Sequence, residues 1–200
     1  KVSDPRASTT GNGPVAVNAA NGRASIAFDE LPIFTTANGQ SIQGATFGFQ
    51  VAGLDNIDAN INVSIGAGPG ASQFLTDPVL EGNALGVLSV DFTSPATNIS
   101  FGVARNTFGS VTNGVQVTLF DSSLNVISTT SLSLQQILLY SEGSFTYSGA
   151  TAVRRMQLDF TSASTAIGGS RFAIDNLTFA AGVPLAGLNG DTLLGGAGND

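Results

Sequence analysis

At 200 residues and 42% hydrophobic composition the chain is long enough to bury one sizeable core, and it contains no Cys, no His and no Trp. Only 10% of its residues are charged, and 14 acids against 7 Lys and Arg give a formal net charge of −7. Disulfides, thiolate or imidazole metal sites and Ser-His-Asp or Cys nucleophiles are therefore excluded. The scarcity of cations speaks against nucleic acid, and no apolar run approaches the roughly 20 residues of a membrane helix.

Residues 1–23, with Gly11-Asn12-Gly13-Pro14 and Asn21-Gly22, read as an irregular N-terminal arm whose Val15–Val17 stretch suits an edge or exchanged strand. From Ala24 onward short strands alternate with turn residues, at about 24–29, 43–51, 57–66, 85–93, 98–105, 114–121, 125–134, 144–149, 153–161 and 170–180. Val115, Val117 and Leu119 fall on one parity of their strand, and Met156, Leu158 and Phe160 on one parity of theirs, the period of a half-buried sheet. Asp121-Ser122-Ser123-Leu124-Asn125 supplies hairpin turn chemistry between two strands. Val90-Asp91-Phe92-Thr93-Ser94 echoes Leu158-Asp159-Phe160-Thr161-Ser162, as two strands with an outward Asp would. The Leu- and Ser-rich stretch Leu132 to Tyr140 is the one helix candidate, ambiguous at its length. These features predict an all-β fold, an antiparallel β-sandwich of jelly-roll type over 24–181, followed by a linker and a glycine-rich tail over 182–200.

Within Arg171-Phe172-Ala173-Ile174-Asp175-Asn176-Leu177-Thr178-Phe179 the apolar parity switches at Asp175-Asn176, which predicts a β-bulge. A carboxylate there needs a partner, either calcium or an arginine. In the tail, Ala186-Gly187-Leu188-Asn189-Gly190-Asp191-Thr192-Leu193-Leu194 and Gly195-Gly196-Ala197-Gly198-Asn199-Asp200 follow a Gly-Gly-x-Gly-x-Asp-x-Leu-x template, with Ala186 and Asn189 where glycine is usual. The tail resembles the RTX calcium-binding repeats of secreted bacterial proteins, and that resemblance implies Asp191 and Asp200 as calcium ligands. Asp55 and Asp58, flanking Asn56, form a weaker oxygen-ligand loop without the glycine or closing Glu of an EF-hand.

The opening Ile26-Ala27-Phe28-Asp29-Glu30-Leu31-Pro32, taken with the closing Phe172–Phe179 strand, resembles the jelly-roll domains of secreted proteins with PEP-CTERM-type sorting tails and calcium-bearing carbohydrate-binding sandwiches. The resemblance implies that first and last strands lie together with a calcium where they meet, held by Asp29 or Glu30, by Asp175 and by backbone carbonyls.

A catalytic reading has little to stand on without His or Cys; Glu142 is a carboxylate with no local mate. Sugar binding wants exposed aromatic rings, and only Tyr140 and Tyr147 supply them beside 13 Phe that sit mostly in strand patterns. The leading expectation is a secreted, extracellular or cell-surface module, non-catalytic and calcium-binding, with a structural or adhesive role. It would assemble with copies of itself into a fibre, sheath or surface layer, or bind matrix polymers and glycans; Lys1 as the first residue reads as a mature or trimmed product. The alternative is a calcium-dependent, lectin-like carbohydrate-binding module.

Overall fold

The computed structural model describes residues 22–63, 72–107, 109–137, 140–161 and 168–181. Twelve antiparallel strands account for most of them: β1 Arg23–Ile26, β2 Ser41–Ile42, β3 Ala45–Val51, β4 Leu54–Asp55, β5 Asn60–Asn62, β6 Val79–Asn83, β7 Gly86–Thr107, β8 Val111–Phe120, β9 Val126–Ile137, β10 Tyr140–Tyr147, β11 Val153–Asp159 and β12 Gly168–Ala181. The described residues contain no helix. The arm up to residue 21 and the tail from 182, with Asp191 and Asp200, lie outside the described residues.

The strand β7 organises the rest. Its first part, Gly86 to Phe92, pairs with β3 and β11, and its last part, Ile99 to Arg105, pairs with β10 and β12. A first layer of β3, β7, β11, β8 and β9 therefore continues into a second of β10, β7, β12, β6 and β5. Where the sequence reading places two strands, 85–93 and 98–105, the chain instead stays extended and changes layer. Pro95 sits where the ladder to β11 skips, between Ala96↔Val153 and Asp91↔Arg155, so its missing N–H breaks no bond in that ladder. Arg154 covers the gap by donating Nη1 to the carbonyls of Phe92 and Thr93.

Between the layers lies one core, and aromatic contacts show both sides of it. Phe49 of β3 meets Phe172 of β12 with ring centroids 5.8 Å apart, and Phe92 of β7 meets Phe179 of β12 at 4.8 Å. Phe160, just past β11, stacks on Phe172 at 3.9 Å and 8°. The period-2 reading of β8 and β11 holds: Val115, Val117, Leu119, Met156 and Leu158 are fully buried. Val90–Ser94 lies on β7 and Leu158-Asp159 on the neighbouring β11, offset along the ladder (Val90↔Met156, Leu88↔Leu158), with Asp91 turned outward to Arg155. The hairpin at Asp121 also forms, its carboxylate accepting from the Ser123 and Asn125 amides.

Two local expectations change. The helix candidate at 132–140 is strand in β9 up to Ile137 and again from Tyr140, because the Val115↔Leu132 and Val111↔Leu134 pairings offer those leucines a sheet partner. The strand β6, Val-Leu-Glu-Gly-Asn, escapes a period-2 search because its first four residues are all buried, some against the core and some beneath a segment crossing the opposite face. As predicted, the first and last strands of the domain are neighbours, with Arg23↔Ala180 and Ile26↔Leu177.

Phe172 joins both layers, so Phe172→Ala should lower the unfolding free energy by about 3–5 kcal/mol, read from urea denaturation, and Phe172→Leu by clearly less.

Candidate functional site

The candidate site is the outer face of the second layer. Phe172 and Ile174 point to the core, so Arg171, Ala173 and Asp175 point away from it. Register then sets the rows of that face. Asp175 stands opposite Gly102, and Gly102 opposite Ser144; Ala173 stands between Glu81 and Ala104, with Glu142 beyond Ala104.

Residues 72–78 cross this face. Leu75 and Phe74 pack against Val79, Ala104, Ala173 and Tyr140 in a small second core. Two buried carboxylates hold the crossing segment by its polar groups. Glu142, 3% exposed, accepts from Ser72 Oγ at 2.5 Å and from the Gln73 amide at 2.8 Å. Asp175, 1% exposed, accepts from the Thr76 amide at 2.8 Å, from the Asn176 amide at 2.6 Å and from Asn176 Nδ2 at 3.1 Å. Asn176 Nδ2 also donates to the Phe74 carbonyl. Contact is close enough at Gly102 that a Cβ there would lie 2.2 Å from the Phe74 carbonyl oxygen.

The predicted bulge is present: three steps from Asp175 to Thr178 face two from Gly102 to Ser100, and Asn176 takes a left-handed φ of 54°. The Asp175 carboxylate is met by N–H donors and, among the described residues, by no arginine. Its pKa is raised to about 6, chiefly by burial and further by the charges of Asp29 and Asp77, against the downward pull of the Thr76 and Asn176 amides. Among the described residues no three or more acids are grouped to hold a metal ion. Glu30 receives Gln43 Nε2 at 2.8 Å, and that Gln43 amide bonds both the N–H and the C=O of Ser25, sealing the free edge of β1. Asp29 is exposed and close enough for its charge to act on Asp175. Asp55 accepts from Gln50, and Asp58 pairs with Arg171, so that loop is used inside the fold. Tyr147 donates to the Thr151 carbonyl at 2.7 Å, which fixes it in the turn before β11.

Two recesses flank the crossing segment. The tighter, about 90 Å³, is lined by Glu81, Asn106, Tyr140 and Arg171 over Ala104 and Ala173. The wider, about 290 Å³, is lined by Gln73, Phe74, Ser100, Ser144, Thr146 and Asn176. In the first, Arg171 donates Nε to Glu81 and Nη1 to Asp58, the latter at 2.8 Å. Burial works against the Arg171 charge, but the bonds to Asp58 and Glu81 outweigh it and raise the pKa. Burial, then the charges of Glu81 and Asp77, raise the Tyr140 hydroxyl, which stays neutral. Tyr140 stands out in the sequence as a rare tyrosine; Arg171 and Glu81 do not, since their link spans 90 residues.

Two outcomes are expected. Gly102→Ala should displace the crossing segment, costing about 1–3 kcal/mol and accelerating hydrogen exchange at the Gln73 and Thr76 amides. Because the Asp175 carboxyl titrates near 6 when folded and near 3.8 when unfolded, the folded state binds its proton more tightly. Its contribution to stability is therefore complete below about pH 4 and is lost as pH rises through about 6, by roughly 1–3 kcal/mol. The difference between wild type and Asp175→Asn in denaturation midpoints measured from pH 4 to pH 8 should trace that slope.

No family model and no curated protein matches this chain. Among solved structures it is similar to a carbohydrate binding module of family 29, at 10% identity over 80% of this chain and 90% of that one, with a TM-score of 0.40. A variant of such a module complexed with cellulohexaose matches at 10% identity, 80% and 92% coverage and a TM-score of 0.40. Another, complexed with mannohexaose, matches at 12%, 80% and 92%, with 0.39. Similarity at that level assigns neither a family nor a ligand.

Proposed function

We propose that this domain is a non-catalytic, extracellular glycan-binding module whose ligand lies on the outer face of the second layer. The observation that carries this reading is the recess where the Tyr140 ring, the exposed Asn106 and the Arg171–Glu81 pair converge over Ala104 and Ala173. An aromatic wall beside a few fixed polar groups is the composition a sugar ring requires, with apolar C–H faces against the ring and hydroxyls on the polar edge. Sheet strands hold these groups in place, and Asp58 and Glu81 lock the Arg171 rotamer, so little ordering entropy is lost on binding. From Tyr140 to Thr146 along β10 the face runs about 20 Å, which suits an oligosaccharide better than a single sugar. Catalysis has no support: the chain lacks His and Cys, and Glu142 serves to hold residues 72 and 73.

Self-association is a second reading, favoured by one observation. Phe34, Leu54 and Ile57 are 73–77% exposed at loops around β3, β4 and β5. Strand addition at β1 is disfavoured because Gln43 already occupies that edge. Calcium belongs to the proposal as a structural ion near Asp29, Glu30 and Asp175 and in the repeats of Asp191 and Asp200. The support at the first place is electrostatic, since Asp29 and Asp175 repel and a divalent cation relieves that repulsion. Carbonyls and water would have to complete its six to eight oxygens.

Retention on immobilised polysaccharides of differing linkage tests the main reading. Tyr140→Ala should weaken retention by about tenfold or more, roughly 1.4 kcal/mol, with an unchanged far-UV spectrum; full retention by that variant would place the ligand elsewhere. Calcium should raise the melting temperature by several degrees relative to EDTA, and Asp29→Asn should shrink that rise. Equal melting curves with and without calcium would remove the ion from the proposal.

A further inference from the structure

The wider recess has the dimensions of a sugar ring and a lining without charge. Its floor is Gly102 with Ser100 beside it. Ser144 and Thr146 of β10 stand along one side, Asn176 of β12 along the other, and Gln73 and Phe74 of the crossing segment close one end. Phe101 and Phe145 also border it, but both are turned to the core and stack on each other at 5.2 Å. The half-buried Phe74 is therefore the aromatic side chain left to meet a ligand. At about 290 Å³ the recess holds roughly ten water volumes, the scale of one pyranose with its hydroxyls.

Its polar groups are accessible and unused. Ser144 and Thr146 leave the same face of β10 about 7 Å apart, and both are exposed. Neither hydroxyl, nor the side-chain amide of the exposed Gln73, has a hydrogen-bond partner among the described residues. Groups that both donate and accept suit sugar hydroxyls, which do the same. The surroundings are already fixed: Ser100 and Thr178 share a bond of 2.7 Å, and Asn176 Nδ2 holds the Phe74 carbonyl at 3.0 Å. No arginine or lysine is among the described residues lining the recess. The ionisable neighbours are two acids, Asp175 in the row of Ser144 and Gly102, and Glu142 two residues before Ser144. Both are buried and accept from amides of the crossing segment, so neither presents an open oxygen to a cation.

We infer that the wider recess is a second ring-binding subsite, selective for an uncharged pyranose and closed to uronic acids and sulfated sugars. The inference rests on the glycan-binding reading and adds a position and a charge rule to it. The ring lays a C–H face on Phe74 and its hydroxyls on Ser144, Thr146 and the Gln73 amide. A carboxylate or sulfate on that ring would lose hydration, gain no guanidinium in return, and face the charges of Asp175 and Glu142 across a poorly screened layer of protein. Ser144 and Thr146 lie four and six residues from Tyr140 along β10, roughly 14–20 Å. A single ring therefore fills this subsite, and only a chain of several units reaches both recesses.

The test follows NMR resonances of the full chain as methyl glycosides of glucose, galactose and mannose are added, each beside its uronic-acid counterpart, at pH 7.5 and low salt. At least one neutral glycoside should shift Phe74, Ser144 and Thr146. Its uronic-acid counterpart should bind about fivefold or more weakly, and high salt should narrow that gap. Ser144→Lys places a cation at an exposed position of the lining and should erase or reverse the gap. Thr146→Val should weaken the neutral ligand severalfold. Should either variant fold poorly, the neutral and uronic-acid comparison on the wild-type protein decides the matter without it. Equal or tighter binding of the uronic acids overturns the inference and leaves glycan binding standing. Shifts confined to Tyr140 and Asn106 do the same. Shifts at Phe74, Ser144 and Thr146 that survive Tyr140→Ala support this subsite, even if they move the main one. No shift with any glycoside overturns the inference alone if polysaccharide retention persists, and both readings together if it does not.

Discussion

One strand has to satisfy two layers at once, and most of this fold follows from that constraint. β7 is 22 residues long and lends Leu88, Val90 and Phe92 to one layer and Ile99, Phe101 and Val103 to the other. Because both layers share it, their relative position is set covalently as well as by packing. The crossover is where sheet bonding is weakest, with a proline, a skipped stretch of ladder and Asn98 at a φ of 50°. Arg154 compensates by carrying its guanidinium onto the exposed carbonyls. A sandwich built this way does not shear apart as two independently folded sheets would.

The outer face uses buried acids as acceptors for the backbone. Glu142 and Asp175 lie under residues 72–78 and take the amides of Gln73 and Thr76, groups that a sheet ladder does not reach. The segment divides the face in two and covers its middle rows, and Gln73 and Phe74 form part of the wall of the wider recess. Burying a charge is ordinarily unfavourable, and these two are tolerated because several donors converge on each. Glu81 differs: one of its oxygens receives Arg171 Nε and the other is buried with no hydrogen-bond partner.

Much of the architecture can be read in the chain, because short-range pattern carries it. The alternations Val115-Val117-Leu119 and Met156-Leu158-Phe160 declare their strands, and the parity switch at Asp175-Asn176 marks a bulge before any coordinate is known. The adjacency of first and last strands came from family resemblance and not from pattern. What pattern misses is long-range. β6 hides behind Glu81 and Gly82 because both of its faces are covered. The strands expected at 85–93 and 98–105 are one strand that changes layer. Asp175 reads as needing a partner, but nothing in its neighbourhood points to Thr76, which comes to it with an amide from 99 residues earlier. Arg171 finds Asp58 across 113 residues, and no spacing rule reaches so far.

The pairing of β1 with β12 also fixes how the domain is held. The amide of Ala181 donates to the carbonyl of Gly22 at 2.8 Å, so the chain enters and leaves the fold at one pole. Arg171 lies ten residues back along β12, roughly 30 Å away toward the opposite pole. The domain is thus built like a pendant, tethered at one end and presenting its Tyr140 recess at the other. Tension between the two chain ends would open the β1–β12 ladder bond by bond from that pole, while the recess sits at the far end of β12, beyond the reach of the first bonds to break.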